Sequence, residues 1–548
     1  MLHRIVTSPA QEHPPTALPL FSIDATRALE RRLAQTLPPH TLMARAGAAV
    51  AALAKAVAPH ARSIWIACGP GNNGGDGLVA AALLQPWCQA RGVDLLVSWC
   101  GHEERLPNDA RFALAMARDA GLRFTEPPAA CDLAIDALLG IGVRAANTAE
   151  PSDQQRQIAR WITHLQQCAP TLLCVDIPSG MNADTGKNTI ANNSICTCVR
   201  SIFCLTFIGL KPGLFTADGR DQAGQVWLDD LGGQAAAPLL TATPPAPMAW
   251  LGCPSVLRPT PPRSQRHNTH KGHFGDVWVL GGQGLHPSGA GMTGAALLAA
   301  KAALHAGAGR VWVAMLDASS PSWDPSQPEL MLRTAQTLLG PEPLAAGTWV
   351  CGCGGGESVV PHLPKLLSQA RTLVLDADAL NAVAQSQDLQ TLLRSRLANG
   401  LATVLTPHPL EAARLLGQDT AHVQADRLAA ARELATRFQC VCVLKGSGTV
   451  LATPSGMLSI NPTGNASLST AGTGDVLAGM VGAALAGTTL APTPDGFSKP
   501  TLPEAWLDDT VWPAVACAVY RHGLTADRWP PQLTLTAEAL ARRITPAA

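Results

Sequence analysis

Short apolar stretches alternate with helix-forming stretches along the whole chain, and the alternation stops once and then restarts. SIWIAC (63–68), LLVSWC, DLAIDALLG and TLLCVDIPSG read as buried strands, with a helix from Leu78 to about Arg91 and further helices at Asp109–Ala120 and Gln154–Gln167 between them. SIFCLTFIGL and GQVWLDDLG close this first half, and two helices, Ile23–Gln35 and Leu42–Ala58, precede it and pack on its sheet. Apolar strands separated by helices belong to parallel sheets covered on both faces. After Gly233 the periodicity gives way to proline in TATPPAPMAW and RPTPPRSQR, which reads as a linker. Then VWVLGG (277–282), RVWVAM (310–315), TWVCGCGGG (348–356), TLVLDADALN (372–381) and ATVLTPHPLE (402–411) resume the pattern, and CVCVLKGSGTVLAT (440–453) reads as two strands around a Gly-Ser-Gly turn. The expected fold is α/β in two tandem domains, 1–235 and 263–548, with 236–262 as the proline-rich linker. The N-terminal domain is expected to be a Rossmann-like doubly wound sheet.

With 548 residues the chain exceeds one ordinary domain, and 47% hydrophobic against 15% charged residues is enough to fill two cores. Lys+Arg and Asp+Glu are both 40, so the formal net charge is zero and bulk charge holds neither nucleic acid nor a membrane surface. No apolar run reaches the ~20 residues of a membrane helix. The N-terminus, MLHRIVTSPAQEHPP, lacks the apolar core of a signal peptide, and a cytoplasmic protein is expected. Fifteen cysteines are scattered without a CxxC pair, which indicates neither zinc site nor disulfide framework but small buried hydrophobes.

Two glycine-rich turns, each ending in an aspartate, are where chemistry is expected. GPGNNGGDG, Gly69 to Gly77, follows a strand and precedes a helix, so its backbone N–H groups can face an anion. Gly69, Gly71 and Gly74 fit the dinucleotide pattern G-x-G-x-x-G, but Asn72, Asn73 and Asp76 stand where pyrophosphate would approach. Asp94, the spacing match for a ribose acid, starts its strand instead of ending it. Other strand ends add Asp136 with the Gly140–Gly142 turn, and Asp176 with Ser179. Asn73, Asp136 and Ser179 form an oxygen-rich set suited to a hard cation, while Asp176, joined by Lys211, is a candidate acid or base. Taken singly, each acid at a strand end is commonly a turn or helix cap.

The second turn, AGTGDVLAG, Ala471 to Gly479, offers the Gly472–Gly474 backbone to a phosphoryl group and Asp475 as general base toward an attacking hydroxyl; a plain helix cap is the competing role. KGSGT, Lys445 to Thr449, offers a lysine and N–H donors to nucleotide phosphates or is a simple hairpin turn. There is no G-x-x-x-x-G-K-[ST], so this is not a P-loop. His408, between prolines at a strand end, is a further candidate.

These residues carry family resemblances. LMARAG (42–47), GPGNNGGDG, DALLGIG, VDIPSGMNADTG (175–186) and KPGL (211–214) resemble, in order, the NAD(P)H-hydrate epimerases, except that Met181-Asn182 stands where Leu-Asp is usual. The resemblance implies that Asn72, Asn73, Gly74, Gly75 and Asp76, with Gly140, Ile141, Gly142, Val143, Arg144, Ala145 and Ala146, bind the hydrated nicotinamide nucleotide. It also implies that Asn73, Asp136 and Ser179 hold K⁺ and that Asp176 contacts substrate. In the second half HKGHFGDVWVLGG (270–282), GAALLAA (294–300), HAGAGRVWV (305–313), PELM (328–331), LDADALN (375–381), TPHPLE, KGSGT, NPTGN (461–465), AGTGDVLAG and HGLTAD (522–527) resemble the ribokinase-like NAD(P)H-hydrate dehydratases, with GCGGG at 352–356 where GPGLG is usual. That resemblance implies a C-terminal ribokinase-like α/β domain. In it Ala295, a glycine of the 352–356 turn taken as Gly354, His408 and Asp475 contact substrate, and Lys445, Gly446, Ser447, Gly448, Thr449 and Gly474 bind ADP, with Mg²⁺ accompanying the nucleotide. The expected partners are small molecules and further copies of the chain.

Two other readings stay open at this point. A ribokinase-type kinase would leave its product phosphorylated; separately, the first half could be a nucleotide-binding or protein-interaction module without turnover.

Overall fold

The computed structural model describes residues 2–5, 17–142, 151–189, 199–233, 245–253, 267–285, 291–316, 323–488 and 507–545. The chain divides into two compact units, one made of Pro19–Ala249 with the strand Leu2–Arg4, the other of Trp250–Ala548.

The first unit is built on a seven-stranded sheet in the order Leu2–Arg4, Gln225–Asp229, Ser201–Phe207, Thr171–Val175, Leu133–Ala137, Ser63–Cys68 and Asp94–Trp99. All neighbours are parallel except the first pair. Ser63–Cys68 pairs with the next strand in sequence, Asp94–Trp99, on one side and with Leu133–Ala137 on the other. The winding direction therefore reverses between Ser63–Cys68 and Leu133–Ala137, and such a reversal opens a crevice at the strands' carboxyl ends. Asp94 begins its strand, at the opposite end from that crevice.

The helix after Ser63–Cys68 begins at Asn72, six residues before the expected Leu78, and runs to Arg91. Three glycines in its first turns do not break it because they buy close packing that a side chain would block. A Cβ on Gly74 would lie 2.1 Å from the Gly69 carbonyl oxygen, and one on Gly77 would lie 2.6 Å from Ala137 Cβ. Asn72, Asn73 and Asp76 thus ride on the helix start itself.

The second unit restarts the same scheme. Its sheet places Asp276–Gly281 between Arg310–Met315 and Thr348–Cys351, all parallel, and continues in parallel through Thr372–Leu375, Ala402–Leu405 and Val441–Leu444. The winding reverses between Asp276–Gly281 and Thr348–Cys351, whose ends lead into Gly282 and the 352–356 turn. Val441–Leu444 and Val450–Ala452 form the expected antiparallel hairpin around the Gly-Ser-Gly turn. Leu458–Ile460 follows as a strand too short for a periodicity signal, and Ala249–Leu251, within the stretch read as linker, pairs with it in parallel.

The helix Thr473–Thr488 is apolar on all sides, as a helix buried between sheet and neighbours must be. Its glycines let it approach closely: a Cβ on Gly479 would lie 2.0 Å from the Ala299 carbonyl oxygen. The described cysteines are free thiols, buried except for Cys517. No helix among the described residues is long and apolar enough to cross a membrane.

Candidate active sites

In the first unit the residues collect at the reversal point. Asp136 ends the strand Leu133–Ala137 and accepts from Ser179 twice, from the hydroxyl at 2.6 Å and from the backbone N–H at 2.9 Å. Ser179 Oγ in turn accepts from Leu139 N at 2.8 Å. Burial raises the Asp136 carboxyl above its ordinary value, and the Ser179 and Leu138 bonds only partly offset this. A Cβ on Gly140 would lie 3.3 Å from the Asn73 side chain, so Asn73 faces the same corner. Asn73 is buried, and neither its Oδ1 nor its Nδ2 has a hydrogen-bond partner among the described residues. An orphaned acceptor beside a buried carboxylate is what a site for a hard cation requires.

Asp176 follows the strand Thr171–Val175 with φ of 66°, a left-handed conformation that is uncommon for a residue with a side chain. Its Oδ1 accepts from Lys211 Nζ at 2.6 Å. Lys211 is fully buried, and Nζ also donates to Thr206 Oγ1 at 2.8 Å and to the Phe207 carbonyl at 2.9 Å, so all three ammonium hydrogens are used. Among the described residues the hydrogen bonds of the Asp176 carboxylate fall on Oδ1. Asp76 stands close by: burial first, then Asp176, Glu30 and Asp109, push its carboxyl well above the ordinary range. Glu30 is raised by burial and by Asp176 against the pull of Lys211 and Arg27. Of the loop expected to hold substrate, Gly140 lies beside Asn73, Ile141 and Gly142 follow it at the turn, and Val143, Arg144, Ala145 and Ala146 lie outside the described residues.

In the second unit Asp475 occupies the first turn of Thr473–Thr488, behind Gly472 at φ 89°. The N–H groups of Gly474 and Asp475 have no acceptor among the described residues. Thr473 is fixed from behind by buried His522, whose Nε2 lies 3.0 Å from the Thr473 carbonyl; burial lowers this imidazole to about 4, so it is a neutral donor. Lys445 Nζ pairs with buried Asp376 Oδ1 at 2.7 Å, and a Cβ on Gly474 would lie 3.4 Å from that Nζ. The KGSGT turn and the helix start therefore meet at one ammonium. Burial works against the Lys445 charge, but Asp376 and Glu411 outweigh it and hold its pKa above the ordinary value.

Burial and then Asp376 raise Asp475 to about 7, against a hydrogen bond from Cys353 and the charge of Lys445. The Cys353 sulfur and carboxylate oxygens of Asp376 and Asp475 lie within 4.8 Å of one another. The 352–356 turn that carries Cys353 has left-handed glycines at 352, 354 and 356, and a Cβ on Gly354 would lie 2.9 Å from that of Ala295. Ala295 and Gly354 are thus neighbours. His408 caps the helix Pro409–Leu416: its Nδ1 accepts from Leu410 N and Glu411 N at 3.1 and 3.2 Å, and Nε2 lies 3.2 Å from Glu411 Oε1. His408 is thus the N-cap of this helix.

Three acids escaped the sequence reading. Asp376 lies inside the LDADALN stretch, where its place at the strand end was the available signal. Glu411 sits three residues after His408, the capping-box spacing. Glu30 looks like one more charge on an amphipathic helix and gives no signal of its own.

Each unit thus presents, where its parallel sheet reverses, a glycine-framed helix start and a buried acid paired to a lysine. That is the architecture of a two-centre enzyme handling anionic small molecules. Residues 39–213 match the family described as YjeF-related protein N-terminus, and residues 278–546 match the one described as NAD(P)H-hydrate dehydratase. The chain is 34% identical over 457 residues to the bifunctional NAD(P)H-hydrate repair enzyme Nnr of Escherichia coli (strain K12), covering 81% of each chain. It is 34% identical over 446 residues to the Coxiella burnetii enzyme of the same name, covering 80% of this chain and 83% of that one. An ADP-dependent (S)-NAD(P)H-hydrate dehydratase of Neisseria meningitidis serogroup B is 41% identical over 195 residues, 35% of this chain and 62% of that one. This chain belongs to the family of bifunctional NAD(P)H-hydrate repair enzymes.

Proposed function

We propose that this protein restores hydrated NADH and NADPH, with residues 1–235 interconverting the R and S hydrates, 263–548 dehydrating the S form at the expense of ADP, and 236–262 joining them. It works in the cytoplasm as a homo-oligomer. The observation that carries this reading is Asp475: a carboxylate poised near neutrality, in a helix start with free N–H groups, beside Lys445.

Hydroxide is a poor leaving group, and the second site removes that obstacle. Asp475 takes the proton of the hydrate hydroxyl, whose oxygen attacks the terminal phosphoryl group of ADP. AMP leaves, and the Gly474 and Asp475 N–H groups and Lys445 stabilise the transferred charge; the C–O bond to phosphate then breaks while the neighbouring ring carbon gives a proton to the departing phosphate, and the ring regains its double bond. Mg²⁺ neutralises phosphate charge when it accompanies ADP. The Cys353–Asp376–Asp475 donor set, with a thiol and with Asp376 spent on Lys445, suits it poorly as a resident ion, and it would instead come bound to the nucleotide.

In the first site Asp176 Oδ2 is where the proton leaves and returns. It goes to the departing hydroxyl and comes back from water adding to the other face, while Lys211 orients the carboxylate. Asn73, Asp136 and Ser179 would hold K⁺, which offsets the buried Asp136 charge. Epimerisation is expected to require a monovalent cation and to survive transition-metal chelators. Inhibition by such a chelator, reversed by zinc, would contradict the donor assignment.

The decisive assay mixes R and S NADH hydrates with purified protein and ADP and follows the return of reduced-nicotinamide absorbance together with AMP and phosphate. Accumulation of a stable phosphorylated product would instead mark a small-molecule kinase.

The pH dependence of dehydration tests the environment of Asp475. The base works ionised, so kcat/KM for the hydrate should rise with pH through about 7. Burial and the two aspartates keep the Cys353 thiol protonated, and a donor to the carboxylate favours its charged form. Cys353→Ala should therefore move the rising limb to higher pH, and Cys353→Ser should hold it in place. A limb unmoved in the alanine variant assigns the thiol to packing alone.

A further inference from the structure

The Lys445–Thr449 turn joins two antiparallel strands and has left-handed glycines at Gly446 (φ 141°) and Gly448 (φ 63°). Glycines make such a turn costly to order when a ligand binds. A buried arginine from outside the hairpin grips its backbone. Arg427 opens the helix Arg427–Phe438 and is only 1% exposed. Its Nη2 donates to the carbonyls of Leu444 and Lys445, each at 3.2 Å, and Nη1 donates to Gln424 Oε1 at 3.0 Å. Asp426 caps the same helix by accepting from Ala429 N at 2.9 Å, so the guanidinium is presented from a fixed helix end. Gly446 lies directly against it: a Cβ there would stand 2.7 Å from Nη1 and 2.8 Å from Nη2. The clamp therefore acts where Lys445 leaves the sheet, one residue from the ammonium that meets Asp376 and Gly474.

Resting on the reading of Lys445–Thr449 as the nucleotide turn, we propose that Arg427 is a positioning residue for ADP, pre-forming that turn from behind without touching the nucleotide. The fold supplies its own control. Arg396 is equally buried and donates to the carbonyls of Leu366, Leu367, Ala370 and Ala402 and to Thr403 Oγ1, none of them at a proposed site. Burial lowers both guanidinium groups, Arg427 to about 10 and Arg396 to about 9. The two arginines share the same chemistry and burial, and one alone is fastened to the turn.

The test uses the full chain, with dehydration measured against ADP at saturating hydrate, ADP binding by calorimetry, and thermal unfolding. Arg427→Gln is expected to raise KM and Kd for ADP about ten- to a hundredfold while kcat stays within about threefold. Arg427→Lys should recover little, because an ammonium does not reproduce the fork. Gly446→Ala keeps Arg427 but displaces it, and should weaken ADP in the same way. Arg396→Gln should lower the unfolding temperature and leave KM for ADP alone. Unchanged ADP affinity in both Arg427→Gln and Gly446→Ala overturns the proposal, as does an equal rise in KM from Arg396→Gln. Gly448→Val probes the turn itself. If it binds ADP normally, the nucleotide reading of the turn fails and the positioning role with it; if it loses ADP while the Arg427 and Gly446 variants do not, only the positioning role fails.

Discussion

Asp475→Asn is expected to lower ADP-dependent dehydration ~10²–10⁴-fold, the usual worth of a general base. Asparagine keeps the size and most hydrogen bonds of the carboxylate and removes its basicity. Nucleotide affinity should hold or rise, because a negative charge near the phosphates disappears. Epimerisation should be intact, since its residues belong to the other unit. Stability supplies a second readout. The folded-state pKa of Asp475, about 7, lies above its ordinary 3.8, so the folded state holds the proton more tightly. Its contribution is present in full below the unfolded value and is lost as pH rises from about 4 through 7. The asparagine variant should therefore gain stability relative to the parent at pH 8 and match it near pH 3.5. Near-normal dehydration in a variant with that stability signature would leave Asp475 a helix cap and the base elsewhere.

Asp176→Asn should affect the other activity just as sharply and behave differently in stability. Proton transfer at Oδ2 would be lost, and epimerisation should fall ~10²–10⁴-fold with dehydration of pure S hydrate unchanged. Here the carboxylate is also the counter-charge of a lysine with no exposed surface. Removing one member of a buried pair costs about 3–5 kcal/mol, so the first unit should unfold at markedly lower temperature. The variant thus couples lost rate to lost stability, where Asp475→Asn uncouples them. Epimerisation within about tenfold of the parent, in a protein that melts normally, would remove Asp176 from the chemistry.

The fold was legible where strands are fully apolar and end in turn residues, as in SIWIAC or RVWVAM. It was less so where tertiary contact overrides local preference. Glycine-rich NNGGDG reads as a turn by propensity but is helical from Asn72, because its glycines fit against the Gly69 carbonyl and Ala137. Leu458–Ile460 is too short to show an alternation. In the sites, the glycine turn brought out Asp475, and the strand-end rule brought out Asp136 and Asp176. It passed over Asp376, which ends a strand as plainly, since a carboxylate followed by a helix looks like a cap. Glu30 enters the first site from a helix far earlier in the chain, and no local pattern marks it. The Asp136–Ser179 and Gly474–Lys445 proximities join positions 43 and 29 residues apart, and only the sheet order makes such pairs neighbours.

The left-handed backbone at Asp176, φ 66°, has a counterpart at Ala377, φ 49°, directly after Asp376. Each position would rest more easily as glycine, and each costs roughly 1–2 kcal/mol as it stands. The two halves therefore carry separate strained positions, one beside each proposed site. In a lineage that could obtain one hydrate epimer spontaneously, or had a second dehydratase, selection on one half would lapse while the other stayed under scrutiny. Drift should then begin at that half's own strand end, replacing the strained residue first and gaining stability as it loses turnover. A descendant with a relaxed residue at 176 or 377 and an otherwise unaltered fold would be a single-activity enzyme still wearing the architecture of two.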